Sequence, residues 1–136
     1  MKPSELKAIY LADNLKADEV YAGLILGQNG QPDYHLILLP GDIEATWKQA
    51  QTFAKKAGGE LPTRREQSLL FANCKDHFKS TWYWSGEPYA SDASYAWCQY
   101  FDDGYQSYYH VDYQLRARAV RRLPIESFIP LSVSDQ

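Results

Sequence analysis

The chain of 136 residues carries 14 basic and 17 acidic side chains, a net charge of −3. That is enough chain for one domain with its own apolar core, and the slight acidity argues against a dedicated nucleic-acid binder. Apolar residues make up 45% and charged residues 23%, which excludes a disordered chain, and no apolar run approaches the roughly 18 residues that span a bilayer.

The opening MKPSELKAIYLADNLKADEV is charged and lacks the apolar stretch of a signal peptide, so secretion by that route is not expected. Residues 4–16 read as a helix, with Leu6, Ile9, Tyr10 and Leu15 toward one side. VYAGLILG (20–27) and DYHLILLP (33–40) are β-rich runs joined by QNGQP. The Asn29-Gly30 pair favours a tight turn, so the two runs predict an antiparallel hairpin. Two helices follow. Thr46 and Gln49 form a capping box, Gly58-Gly59 a stop, and Trp47, Ala50, Phe53, Ala54 and Ala57 one buried stripe. Thr63 and Glu66 repeat the box after Pro62, with Leu70, Phe71, Cys74 and Phe78 inward. Beyond Phe78 the pattern becomes short aromatic strands: 81–86, 95–101, 105–111 and RARAVRRL at 116–123. Turns are expected at Gly86-Glu87-Pro88 and Asp102-Asp103-Gly104. The order defines an α+β domain: an N-terminal helical segment (1–19), a main domain (20–123) and a loosely packed tail (124–136).

Residues 83–113 hold eight of the eleven tyrosines, five carboxylates, and neither lysine nor arginine. Trp84, Trp97 and Phe101 are expected in the core, because bulky aromatics bury the most apolar area. Tyr83, Tyr89, Ser91, Asp92, Tyr95, Tyr100, Asp102, Tyr105, Ser107, Tyr108, Tyr109, His110, Asp112 and Tyr113 have instead the composition of a ligand face. Tyrosine gives wide, rigid contact area at low entropy cost, and Ser and Asp give adaptable hydrogen bonds. The partner implied is a protein; a glycan stays open, and neither membrane nor nucleic acid is expected. Oligomeric state is not legible.

No nucleophile elbow, P-loop or metal-binding spacing occurs, and His35, His77 and His110 fall on three separate elements. Asp102 and Asp103 alone are too few ligands for calcium. The sequence therefore predicts no enzyme, cofactor or metal site. Cys74 is expected as a core thiol and Cys98 as core or surface; a disulfide between them is open but not needed. Arg116, Arg118, Arg121 and Arg122 are expected to pair internally with Asp102, Asp103 and Asp112. Arg64-Arg65 opposes the dipole of its helix, which suggests a packing or binding role.

The segment TWKQAQTFAKKAGGELPTRREQSLLFAN resembles the two-helix region of the formylglycine-generating-enzyme branch of C-type-lectin-like proteins. Trp84-Ser85, Ala96-Trp97, Phe101, Gly104, Gln106, Arg116, Arg118, Ala119, Val120 and Arg121 resemble the motif of phage- and prophage-borne lectin-like domains of unknown function. The chain is also similar to the variable proteins of diversity-generating retroelements. Every residue of the ligand-face set can be encoded by a pyrimidine-ending codon, the product of adenine mutagenesis of Asn codons, whereas Trp97 and Gln106 cannot. The resemblance implies a C-type-lectin-like fold and a phage protein located in the host cytoplasm or on a virion. It implies ligand binding by protein–protein interaction, either blocking a host factor or recognising a receptor. Cys74 and Cys98 match neither the position nor the spacing of the formylglycine-generating cysteine pair, so that activity does not carry over. Gln31-Pro32-Asp33 matches a sugar-coordinating tripeptide of calcium-dependent lectins but lies in the hairpin turn, where it reads as turn chemistry.

Overall fold

The computed structural model describes residues 2–125; the expected tail lies, from residue 126 on, outside the described residues. The fold is α+β, with three α-helices and two sheets among the described residues. Helix α1 (Pro3–Asn14) starts with proline at its first position, where the missing N–H costs nothing. Its Tyr10 hydroxyl donates to the Pro124 carbonyl, tying the helix to the last strand, while Ile9 is exposed rather than inward.

Strands β1 (Val20–Ile25) and β2 (Tyr34–Leu38) form the predicted antiparallel hairpin. Asn29 and Gly30 both take positive φ, and Asp33 Oδ1 accepts from the Gly27 N–H, so Asp33 acts as turn chemistry. Strand β3 (Ile43–Ala45) is too short to leave a pattern in the sequence. Both capping boxes form as expected, at the starts of α2 (Trp47–Lys56) and α3 (Arg64–Cys74). Ala50 and Ala54 carry the buried stripe of α2, with Trp47 and Phe53 half-buried and Ala57 exposed. A 3-10 turn at Lys75–His77 ends α3 earlier than its apolar spacing suggests.

The aromatic half builds β4 (Trp82–Pro88), β5 (Tyr95–Tyr100) and β6 (Gln106–His110), paired antiparallel in sequence order. Residues 116–123, expected as one strand, are two. Strand β7 (Leu115–Ala117) pairs with β3 and, parallel, with β4, whereas β8 (Val120–Pro124) crosses to pair with β2. The division falls at Arg118 and Ala119, where the chain leaves the larger sheet: the Leu39 N–H donates to the Ala119 carbonyl, and Arg118 donates to the Leu39 carbonyl. The sheets are therefore β1-β2-β8 and β3-β7-β4-β5-β6.

Two apolar clusters flank the larger sheet. One gathers Trp84, Ala96, Cys98 and Ala117 with Ala50 and Ala54 of α2; the other gathers Tyr83 and Phe101 with Leu70 and Cys74 of α3 and Leu36 and Leu38 of the small sheet. Strand β4 lies between them, and Tyr83, Trp84 and Ser85 are all buried. Both thiols are free and buried; burial pushes Cys98 up to about 12 and raises Cys74 as well. Gly104, at φ +85, lets the turn after β5 press against Phe71, whose ring would lie 3.0 Å from an added Cβ.

The arginines do pair internally, but not with Asp102, Asp103 or Asp112, which are exposed. Arg116 pairs with Asp42 at 2.7 Å, Arg121 with Glu19 at 2.7 Å, and Arg122 with Glu60 and Glu66. Arg118 donates to the carbonyls of His77 and Leu39. The true partners come from distant segments, which sequence proximity could not indicate. His35 is buried, with its Nδ1 2.8 Å from the Tyr21 hydroxyl.

Candidate binding surface

Strand alternation divides the tyrosine-rich segment rather than gathering it. On β5, Tyr95 and Trp97 face one way; Ala96, Cys98 and Tyr100 face the other. Opposite them, Trp97 pairs with Tyr108 and Tyr95 with His110, while Ala96 pairs with Tyr109 and Cys98 with Ser107. The expected single ligand face is thus two faces of one sheet.

The first face centres on Trp97. Its indole lies 5.5 Å from Tyr89 and 5.4 Å from Tyr108, and those two phenols stack at 4.0 Å. Tyr95 meets Tyr108 and His110 edge-on. The guanidinium of Arg64 lies 3.5 Å over the Trp97 ring, a cation–π contact. Trp97 is accordingly half-buried, not a core residue as expected: its cover is an arginine and two tyrosines.

The second face centres on half-buried Trp82, with Tyr100 at 5.1 Å, Tyr109 at 5.2 Å and Tyr105 at 6.3 Å. Tyr113 stacks on Tyr109 at 5.6 Å. Tyr105 and Tyr113 are the most open tyrosines, at 63% and 54% exposure, and Tyr108 on the other face reaches 40%. Ser91 and Asp92 occupy the β4–β5 connection, Asp102 the β5–β6 turn, and Asp112 the turn after β6; all are exposed.

Tyr83 does not belong to either surface. It is 1% exposed, its hydroxyl donates to Asp42 Oδ2 at 2.5 Å, and it accepts from the Lys79 N–H at 2.9 Å. Burial first, and then the Asp42 hydrogen bond, push its phenol up to about 12. As the central strand of its sheet, β4 has both sides covered, so the alternation that exposes tyrosines on β5 and β6 buries this one.

A polar seam beneath the first face was not legible as such. The Gln106 side chain accepts from Arg64 Nε at 3.0 Å and donates to the Arg64 carbonyl and to Gln99 Oε1. Gln99 in turn donates to the Gln67 carbonyl, and Gln67 to the Tyr83 carbonyl; both glutamines are fully buried. This seam fixes Arg64 over Trp97 and locks α3 to β5 and β6. The available signal was the glutamine interrupting each strand's aromatic run, at Gln99 and at Gln106.

Two concavities are lined by none of the residues of the tyrosine faces. One, of about 350 Å³, is bordered by Lys55, Glu60, Thr63 and Arg122; another, of about 330 Å³, by Pro32, Tyr34, Arg122 and Pro124. They share Arg122, whose guanidinium is held by Glu60 and Glu66. No helix among the described residues is long and apolar enough to cross a membrane. No protein-family model matches the chain, and no curated protein matches its sequence.

Proposed function

We propose that this chain is a non-enzymatic binding protein of phage or prophage origin, built on a C-type-lectin-like scaffold and holding a protein ligand against its tyrosine-rich surface. Support for the scaffold is the return of β8 to lie beside β2, with two capped helices and an aromatic meander between. The observation that carries the binding reading is the stacked Tyr89–Tyr108 pair on Trp97: aromatic area is left at the surface of a sheet whose underside is already filled. Rigid phenols bordered by Ser and Asp give contact area and hydrogen bonds at small entropic cost. The ligand is a host intracellular factor, such as a defence component, that binding blocks, or a receptor recognised from the virion.

The test is affinity capture from host lysate with wild type and a Tyr89→Ala/Tyr108→Ala variant. The variant should retain less than a tenth of the captured protein while its Tm moves by less than about 4 °C, the shift of roughly 1 kcal/mol in a domain of this size. Undiminished capture, or a collapse of stability, refutes the reading.

A further inference from the structure

Sheet edges are hazards that proteins normally cover, shorten, charge or distort. Among the described residues the two sheets have four edges, and three of them are managed. Strand β3 has three residues and packs on α2. Strand β1 is bulged between Tyr21 and Gly23, and Asn73 donates to its Ala22 carbonyl at 2.6 Å. Strand β8 carries Arg121, Arg122 and Pro124, and Glu60 bridges it at Val120. The fourth edge, β6, reads QSYYH, with no lysine, proline or bulge.

Its backbone is presented outward in a defined register. The Tyr100 N–H donates to the Tyr105 carbonyl, and the Val111 N–H to the Ser94 carbonyl, so odd-numbered residues bond toward β5. The N–H and C=O groups of Gln106 and Tyr108 therefore point away from the sheet. Aromatic rings stand on both sides of that edge, Tyr109 and Trp82 on one and Tyr108 and Trp97 on the other. Acidic groups mark both ends: Asp102 and Asp103 before β6, Asp112 after it.

Resting on the binding reading above, we propose that β6 accepts an extended, lysine- or arginine-bearing segment of the protein partner as an added strand. Main-chain hydrogen bonds to Gln106 and Tyr108 supply the pairing, and alternate side chains of the segment fall on the two aromatic faces. Arg64 over Trp97 shows that an indole of this sheet takes a guanidinium. Charge selects this occupant over a second copy of the chain. An antiparallel β6–β6 pair would bring Asp102 and Asp103 of one copy toward Asp112 of the other, whereas a basic strand meets attraction at both ends.

The probes are fluorescein-labelled ten-residue peptides, capped at both ends: alternating Lys-Thr, the same peptide N-methylated at every residue so that neither of its edges can donate, and alternating Glu-Thr. Fluorescence anisotropy should show the Lys-Thr peptide binding at least tenfold more tightly than either other peptide. Bound Lys-Thr peptide should slow amide exchange at Gln106 and Tyr108 by tenfold or more, leaving Ser107 and Tyr109, already bonded to β5, unchanged. Tyr108→Pro, which removes an outward donor without touching a β5 bond, should weaken binding well beyond Tyr108→Ala. Equal binding of the N-methylated or acidic peptide overturns the proposal, as does the absence of binding. So does self-association with the same exchange pattern in the absence of peptide, since the occupant is then a second copy. If Tyr89→Ala/Tyr108→Ala loses the captured partner while Tyr108→Pro merely equals Tyr108→Ala, the tyrosine surface stands and strand addition falls.

Discussion

Replacing Glu66 with glutamine removes one charge and almost no volume from the joint between α3 and the small sheet. Glu66 is fully buried. Its Oε1 accepts from the Thr63 N–H and from Arg122, each at 2.8 Å; its Oε2 accepts from Arg122 Nε at 2.7 Å and the Tyr34 hydroxyl at 2.6 Å. Burial alone would raise this carboxyl, but the Arg122 and Tyr34 hydrogen bonds hold it below its ordinary value, and Tyr34 is itself pushed up to about 12. Glutamine can keep the capping bond to Thr63 but turns an amide donor toward Arg122 Nε, which only donates, and forces the Tyr34 hydroxyl to switch from donor to acceptor. Breaking a buried pair from one side costs about 3–5 kcal/mol. Arg122 retains Glu60 and its side chain is 31% exposed, so the lower end, about 3 kcal/mol, is expected. With a urea m-value of about 2 kcal/mol/M, the unfolding midpoint falls by about 1.5 M. Urea titration at pH 7, followed by far-UV circular dichroism, measures this directly. A Glu66→Gln/Arg122→Met double variant should lose clearly less than the two single losses combined, because removing both partners leaves no buried charge unpaired. A single-variant loss below about 1 kcal/mol would show that the four hydrogen bonds are worth no more than an exposed pair, and would refute the reasoning.

The same carboxylate sets an acid limit. Glu66 lies below the ordinary value of 4.5 in the folded state, and Glu19 likewise through its hydrogen bond from Arg121. Their stabilisation is therefore complete above pH 4.5 and is lost as pH falls through the lower folded values. Thermal melts from pH 7 to pH 3 should show this limb, shallower in Glu66→Gln; an identical slope in the variant contradicts the assignment. Tyr83→Phe leaves the Lys79 N–H and Asp42 without their hydroxyl partner, and should cost about 1–3 kcal/mol in urea unfolding without changing partner capture. Weakened capture at unchanged stability would return Tyr83 to the ligand face.

How much of this was legible follows from the range of each signal. The two capping boxes, the Asn29-Gly30 turn, the hairpin and the aromatic strands are local: a side chain answers a backbone group three residues away, or alternates with its neighbours. Composition likewise marked residues 83–113 as a surface, and most of that set is exposed or half-buried. Tyr83 and Trp97 were misplaced because cover depends on what packs above a strand. Being central buries Tyr83 on β4, whereas Trp97 on β5 is covered by an arginine and two tyrosines rather than by a packed element and stays half-buried. The arginine partners were missed for the same reason: Arg121 and Glu19 are 102 residues apart, and Arg122 and Glu66 are 56 apart. Helix caps, turns and alternation act over a few residues, so the two capped helices, the hairpin and the aromatic strands can be read locally. The division of RARAVRRL between two sheets, the split of the tyrosines across two faces and the place of β6 at a sheet edge come from packing instead, because strand order and cover are set by contacts between segments distant along the chain.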